Sequence, residues 1–103
     1  VRMCDVPLIE GTRDLLKQDM APGGTWSNME FLDADGAIVW GEGLSEEDRL
    51  ALCDAQTAGG LLMSVAPDRV GELLDNLKAA EVSEAVEIGE IITDLECRIR
   101  VEV

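Results

Sequence analysis

The last eight residues, ECRIRVEV, set Cys97, Ile99, Val101 and Val103 on one side and Glu96, Arg98, Arg100 and Glu102 on the other. That period of two predicts a strand covering a core on one face only. RMCDVPLI, residues 2–9, alternates enough for a first strand, with Pro7 closing it or marking a sheet edge. MEFLDADGAIVW, residues 29–40, reads as two short strands around an Asp35-Gly36 turn, a strong local hairpin signal. LLMSV (residues 61–65) and VEIGEII (residues 86–92) are short and apolar, and both are expected as strands, the first of them buried.

Elsewhere the spacing becomes helical. Thr12 is placed to cap a short helix with Leu15, Leu16 and Met20 on one side. LSEEDRLALCDA, residues 44–55, predicts a helix with Ser45 as N-cap, Asp48 three residues on as a relative of the capping box, and Glu46 and Glu47 at its positive end. In APDRVGELLDNLKAAEV, residues 66–82, Pro67 suits the first turn, and Val70, Leu73, Leu74 and Leu77 share a face. Gly71 weakens that helix by roughly 1 kcal/mol relative to Ala. APGGTWSN, residues 21–28, is expected as a loop, because Pro22 and two glycines break regular structure. LLMSV, the following helix and VEIGEII would form a right-handed β-α-β unit, and the short TDLE turn would make the last strand pair antiparallel. The expected architecture is a single α+β domain, residues 1–103, built as an α/β sandwich with a mixed sheet.

Composition narrows the chemistry. With aromatic residues only at Trp26, Phe31 and Trp40, the core must be Leu, Ile, Val, Met and Ala. No apolar run approaches the roughly 20 residues that span a bilayer, and the opening lacks the basic flank of a signal peptide. The expected location is therefore intracellular and cytoplasmic, with no membrane partner. Twenty-two acids against eight bases give a net charge of −14, which argues against nucleic acid and against ATP unless metal ions or another domain supply positive charge. Histidine is absent, and Cys4, Cys53 and Cys97 show no CxxC spacing. A structural zinc site and a Ser-His-Asp or Cys-His pair are therefore excluded within the chain, and the cysteines read as reduced core residues. Neither a catalytic nor a metal-ligating residue is expected here.

Two glycine-bearing runs remain, PGGTWSN (residues 22–28) and DAQTAGGLL (residues 54–62). Small polar side chains beside glycines serve a tight turn, and they equally serve to bring bare backbone against a ligand. Each run alone is explained by a turn. In order and at their separation, they resemble the C-terminal domain of the selenophosphate synthetase (selenide, water dikinase) family. Gly23, Gly24, Thr25 and Asn28 match its Gly-Gly-Thr-x-x-Asn segment. Asp54, Gln56, Thr57, Gly59, Gly60, Leu61 and Leu62 match its Asp-Pro-Gln-Thr-Ser-Gly-Gly-Leu-Leu segment, with Ala55 and Ala58 departing from it, and Ile88, Gly89 and Glu90 match a later Ile-Gly-Glu strand.

That resemblance implies an AIR-synthetase-like (PurM-type) C-terminal domain, partly like ferredoxin-like folds, here without its first helix. It implies an enzyme making selenophosphate, AMP and orthophosphate from ATP, selenide and water, with magnesium. The reactive Cys or selenocysteine, the essential lysine and most metal-binding aspartates would lie in an N-terminal domain outside this sequence. The 103 residues alone are then expected to be inactive and to hold no ATP or Mg²⁺ themselves. Gly23, Gly24, Thr25, Asn28, Asp54, Gln56, Thr57, Gly59 and Gly60 become candidates for one wall of an interdomain cleft. For Asp54, turn capping is an equally good reading. The implied partners are the N-terminal domain of the same enzyme, ATP and selenide in the full protein, and a second copy as a homodimer. Other AIR-synthetase superfamily enzymes and a noncatalytic interaction module stay open as alternatives.

Overall fold

The computed structural model describes residues 1–103 as a small α+β fold. It has four helices, α1 (Thr12–Leu16), α2 (Gly23–Ala34), α3 (Glu46–Leu52) and α4 (Val70–Ala79), and two strands, β1 (Ile38–Trp40) and β2 (Ile99–Val101). Single 3-10 turns occupy Met3–Asp5 and Pro67–Arg69. No helix is long and apolar enough to cross a membrane.

Local chemistry explains α3 and α4. The Asp48 N–H donates to the Ser45 hydroxyl at 3.2 Å and the Ser45 N–H donates to the Asp48 carboxylate at 3.0 Å, a complete capping box. Arg13 of α1 also pairs with Asp48, so the same carboxylate ties α1 to the start of α3. Pro67 opens the 3-10 turn Pro67–Arg69 that leads into α4, rather than α4 itself, and Val70, Leu73, Leu74 and Leu77 form the half-buried face of α4.

The largest departure is α2. Residues 21–28 were expected as a loop and residues 29–40 as a hairpin, yet Gly23–Ala34 is one helix with Pro22 at its N-cap. Thr25, Trp26, Met29 and Leu32 are its covered positions, a helical spacing that the polar Thr25 hides from a hydrophobic count. Gly36, at φ 61°, ends the helix instead of turning a hairpin. Its N–H donates to the Asp33 carbonyl and the Ala37 N–H donates to the Leu32 carbonyl, both at 3.2 Å, which is the Schellman pairing. Hairpin turns and helix ends both need a left-handed residue, so Asp-Gly signals either.

β1 and β2 pair in parallel, Ile38 with Ile99, Val39 with Arg100 and Trp40 with Val101. This two-stranded parallel sheet replaces the expected mixed sheet and its antiparallel last pair. The first residues continue it: Arg2 bridges Glu102 in parallel, and the Arg2 N–H donates to the Ile88 carbonyl at 2.8 Å. Residues 2–9 are otherwise not a strand, because the chain turns into a 3-10 turn at Met3–Asp5. LLMSV and VEIGEII carry no ladder, so the expected β-α-β unit is not formed. Leu61 and Leu62 are 87% and 84% exposed where a buried strand was expected.

The core lies over the sheet. Met3, Leu44 and Val101 are its buried centre, with Val1, Val6, Leu8, Ile38, Trp40, Ala51 and Leu52 packed around them. Of the three cysteines only Cys53 is buried, while Cys4 and Cys97 are exposed. Leu15 and Met20 are also exposed, so α1 buries Leu16 alone. Its N-cap is Gly11, and Thr12 is its first helical residue rather than its cap.

Candidate functional site

The two glycine-bearing runs meet at the first turn of α2. Thr25 is fully buried, and its hydroxyl donates to the Asp54 carboxylate and accepts from the Ala55 N–H, each at 3.1 Å. One turn further along α2, the Asn28 side-chain amide donates to the Cys53 carbonyl at 2.9 Å. A hydroxyl and an amide of one run therefore satisfy three polar groups at residues 53–55, where α3 ends and the other run begins. Partly buried polar groups of this kind are costly to leave unmatched, which helps fix where the chain leaves α3.

Packing reinforces the hydrogen bonds. A Cβ added at Gly24 would lie 2.9 Å from the Ala55 methyl, so glycine at 24 and a small residue at 55 permit the close approach. Asp54 sits where the positive end of α2 favours a carboxylate, and it also accepts from the Gln56 side-chain amide at 3.3 Å. Both donors to Asp54 are side chains, and no backbone N–H donates to its carboxylate. Gly59 does not adopt a left-handed backbone, and a Cβ there would meet only the mobile end of the Gln56 side chain at 2.9 Å. Ala at that position would therefore meet no backbone strain.

Beyond the clasp the run opens to solvent. Asp54, Ala55, Gln56, Thr57, Ala58, Gly59 and Gly60 are all exposed. Thr25 and Asn28 are committed to internal hydrogen bonds, while Thr57 makes no side-chain bond and Gly60 has open space around it. The candidates therefore divide into residues that hold the turn and residues that face outward.

A shallow cavity of about 240 Å³ lies beside the clasp, between α2 and α3, lined by Asn28, Phe31, Leu32, Leu52, Cys53 and Asp54. Burial, and then the negative charge of Asp33, push the Cys53 thiol up from its ordinary value. It therefore stays protonated and is a poor nucleophile at neutral pH. Asp33 also accepts from the Trp40 indole N–H at 2.8 Å, linking the end of α2 to β1. No three Cys, Asp or Glu side chains converge as a metal cage requires. Asp54 is the one carboxylate among the candidate residues, and both its oxygens already accept protein donors. This donor set does not suit a Mg²⁺ ion held by the chain alone.

Sequence reasoning missed two participants, the Cys53 carbonyl and Ala55. A backbone carbonyl carries no side-chain signal. Ala55 did carry one, because a small residue opposite Gly24 is what the close approach demands.

Relatives put this geometry in context. The chain is 35% identical over 88 residues to a selenide, water dikinase of Aliarcobacter butzleri, covering 85% of this chain and 25% of that protein. It is 35% identical over 99 residues to one from Pelobacter propionicus, covering 95% and 28%. With that of Carboxydothermus hydrogenoformans it shares 38% over 93 residues, covering 90% and 26%. No protein-family model matches the chain, and no solved structure matches it. Nearly the whole chain is thus related in sequence to the selenide, water dikinases, of which it spans about a quarter of the length.

Proposed function

We propose that these residues belong to a selenide, water dikinase, in which they form one wall of the substrate cleft. In that reading the complete protein converts ATP, selenide and water to selenophosphate, AMP and orthophosphate. The 103 residues are the later part of its C-terminal, PurM-type domain, and the remainder supplies the reactive groups. The similarity along 85–95% of the chain to enzymes of that name is the observation that carries it.

The clasp gives the wall a physical form. Thr25, Asn28 and Asp54 hold the turn, so that Gln56, Thr57, Gly59 and Gly60 present a hydroxyl, an amide and unshielded backbone outward. Gly23 and Gly24 provide the first amides of α2, which have no intrahelical partner and favour an anion such as a phosphate or selenium oxyanion. Bound Mg²⁺ would neutralise charge on the transferred phosphate, and its ligands would come from the rest of the protein, since the donor set here does not fit it. At a net charge of −14 the isolated chain repels ATP, which supports its being inactive by itself.

The test is selenide-dependent formation of AMP and selenophosphate, followed by phosphorus NMR, with the full-length protein. Selenide-dependent turnover in the full-length protein and none in the isolated chain is the expected result. Full-length protein that hydrolyses no ATP with selenide overturns the enzyme assignment. Turnover by the isolated chain overturns its inactivity. Thr57→Ala in the full-length enzyme should lower turnover more than it lowers stability, and an equal loss of both would make Thr57 structural.

A further inference from the structure

Arg2, Arg13, Arg69, Arg98 and Arg100 each pair with a carboxylate, whereas Arg49, the remaining arginine, pairs with none. It is half-buried, and its Nε lies fully buried without an acceptor. The guanidinium is nonetheless held in place. Its central carbon sits over the Trp40 ring, 5.6 Å from the centroid, and the Trp40 indole N–H donates to Asp33 at 2.8 Å. A guanidinium backed by an aromatic face keeps its N–H edges for an acceptor. With Nε buried, the donors a ligand can reach are those of the two Nη atoms.

Arg49 stands at one end of the groove between α2 and α3. The clasp joins the start of α2 to the end of α3, and Asp33 and Arg49 meet on Trp40 at the other end. Leu52 and Cys53 follow Arg49 by three and four residues on one stripe of α3, and both line the cavity with Phe31 and Leu32. An apolar floor thus begins about one helical turn, about 5 Å, along α3 from Arg49. We infer that this groove binds a small monocarboxylic acid bearing one apolar ring or branched chain. The Nη groups of Arg49 take the carboxylate, and Phe31, Leu32 and Leu52 take the apolar part. Asp54 rims the clasp end of the cavity, which drives the carboxylate to the Arg49 end. The field of a chain at −14, with Asp33 close by, admits one negative charge on a guanidinium more readily than a polyanion or an acidic protein surface. At about 240 Å³ the cavity is also smaller than the roughly 300–1,000 Å³ that hold drug-sized ligands, and it suits a single ring.

This inference does not rest on the kinase reading, and its test needs no turnover. Phenylpropanoate is titrated into the nitrogen-labelled chain, and the Trp40 indole N–H signal is followed by NMR. A saturable shift is expected, with a Kd of about 1–10 mM for a ligand of this size. Phenylpropanol, which keeps the ring and loses the charge, should bind about tenfold more weakly, as should acetate, which keeps the charge and loses the ring. Arg49→Gln should abolish the preference for the acid over the alcohol, and Phe31→Ser should weaken both. Arg69→Gln removes the same charge from the turn before α4 and should change binding less than about twofold. The comparison of acid with alcohol needs only the wild-type chain, so it stands whether or not the variants fold. Absence of a saturable shift, or equal binding of acid and alcohol, overturns the site. Equal weakening by Arg49→Gln and Arg69→Gln would reduce the effect to overall charge and overturn it too. A capped phenylalanine-glutamate dipeptide that binds more than about tenfold tighter than phenylpropanoate would make a protein side chain the source of the carboxylate and overturn the small acid.

Discussion

In the stretch from Pro22 to Gln56, Thr25, Leu44, Leu50 and Cys53 are 0%, 8%, 3% and 4% exposed; between Val82 and Leu95 no residue is buried. Both stretches are rich in apolar side chains, so hydrophobicity alone does not separate them. Specific polar closures do. The first stretch has a capping box at Ser45, a Schellman end at Gly36, and the Thr25 and Asn28 bonds that tie α2 to the exit of α3. The second has the backbone bonds of Val82 to Leu77, Arg2 to Ile88 and Cys97 to Asp94, and the ion pairs of Glu87 and Asp94. Apolar burial stabilises a segment only when its backbone groups are also satisfied, and in this chain the two occur together.

The sharpest way to break this contrast is in the core of the closed stretch. Leu50→Ala should lower unfolding free energy by about 3 kcal/mol in a urea titration, from lost burial plus the cavity left behind. A loss under about 1 kcal/mol would mean that this region collapses as freely as the open one.

Thr25→Val comes next, with an expected loss of about 2 kcal/mol, because it strands the Ala55 N–H and removes a donor from Asp54. Thr25→Ser should recover most of that loss, since it keeps the hydroxyl. If Val and Ser behave alike, the clasp contributes shape and not hydrogen bonding.

Asp94 tests one anchored point of the open stretch through pH. The Glu96 backbone N–H, with the Arg100 and Arg98 side chains, holds its carboxyl below the ordinary carboxylate value. The folded state therefore binds this proton less readily than the unfolded chain. Its contribution is fully present above about pH 4 and disappears as pH falls through the lowered folded value. Asp94→Asn should destabilise the protein at neutral pH, and the difference from wild type should shrink in acid melts below about pH 4. A constant difference across that window would show that the titration of Asp94 is not linked to folding.

The smallest effect belongs to Leu95→Ser, expected within about 0.5 kcal/mol of wild type by the same urea titration. A larger loss would show that Leu95 packs against something in solution, and the contrast between the two stretches would narrow.

Legibility in the sequence followed the same division. α3 and α4 were readable because a capping box, an N-terminal proline and a leucine stripe are local signals within a few residues of one another. The α2 helix was not, because glycines and a proline at its start read as breakers and its most buried residue is a threonine. Joining the two glycine-bearing runs was suggested by family resemblance, and residue chemistry alone did not require it. The division of the candidates into clasp residues and outward-facing ones was invisible in one dimension, since Thr25 and Thr57 look alike until one is buried.

The sequence by itself determined the charge, the absence of histidine chemistry, the helices α3 and α4 and the kinship with selenide, water dikinases. Only the tertiary structure decided that β1 and β2 run parallel, that Gly36 closes a helix, and that LLMSV and VEIGEII stay outside the sheet. The reason is physical: caps and side-chain periods are set by neighbours along the chain. Strand pairing and burial depend on which distant groups arrive to satisfy a backbone that is otherwise indifferent to its partner.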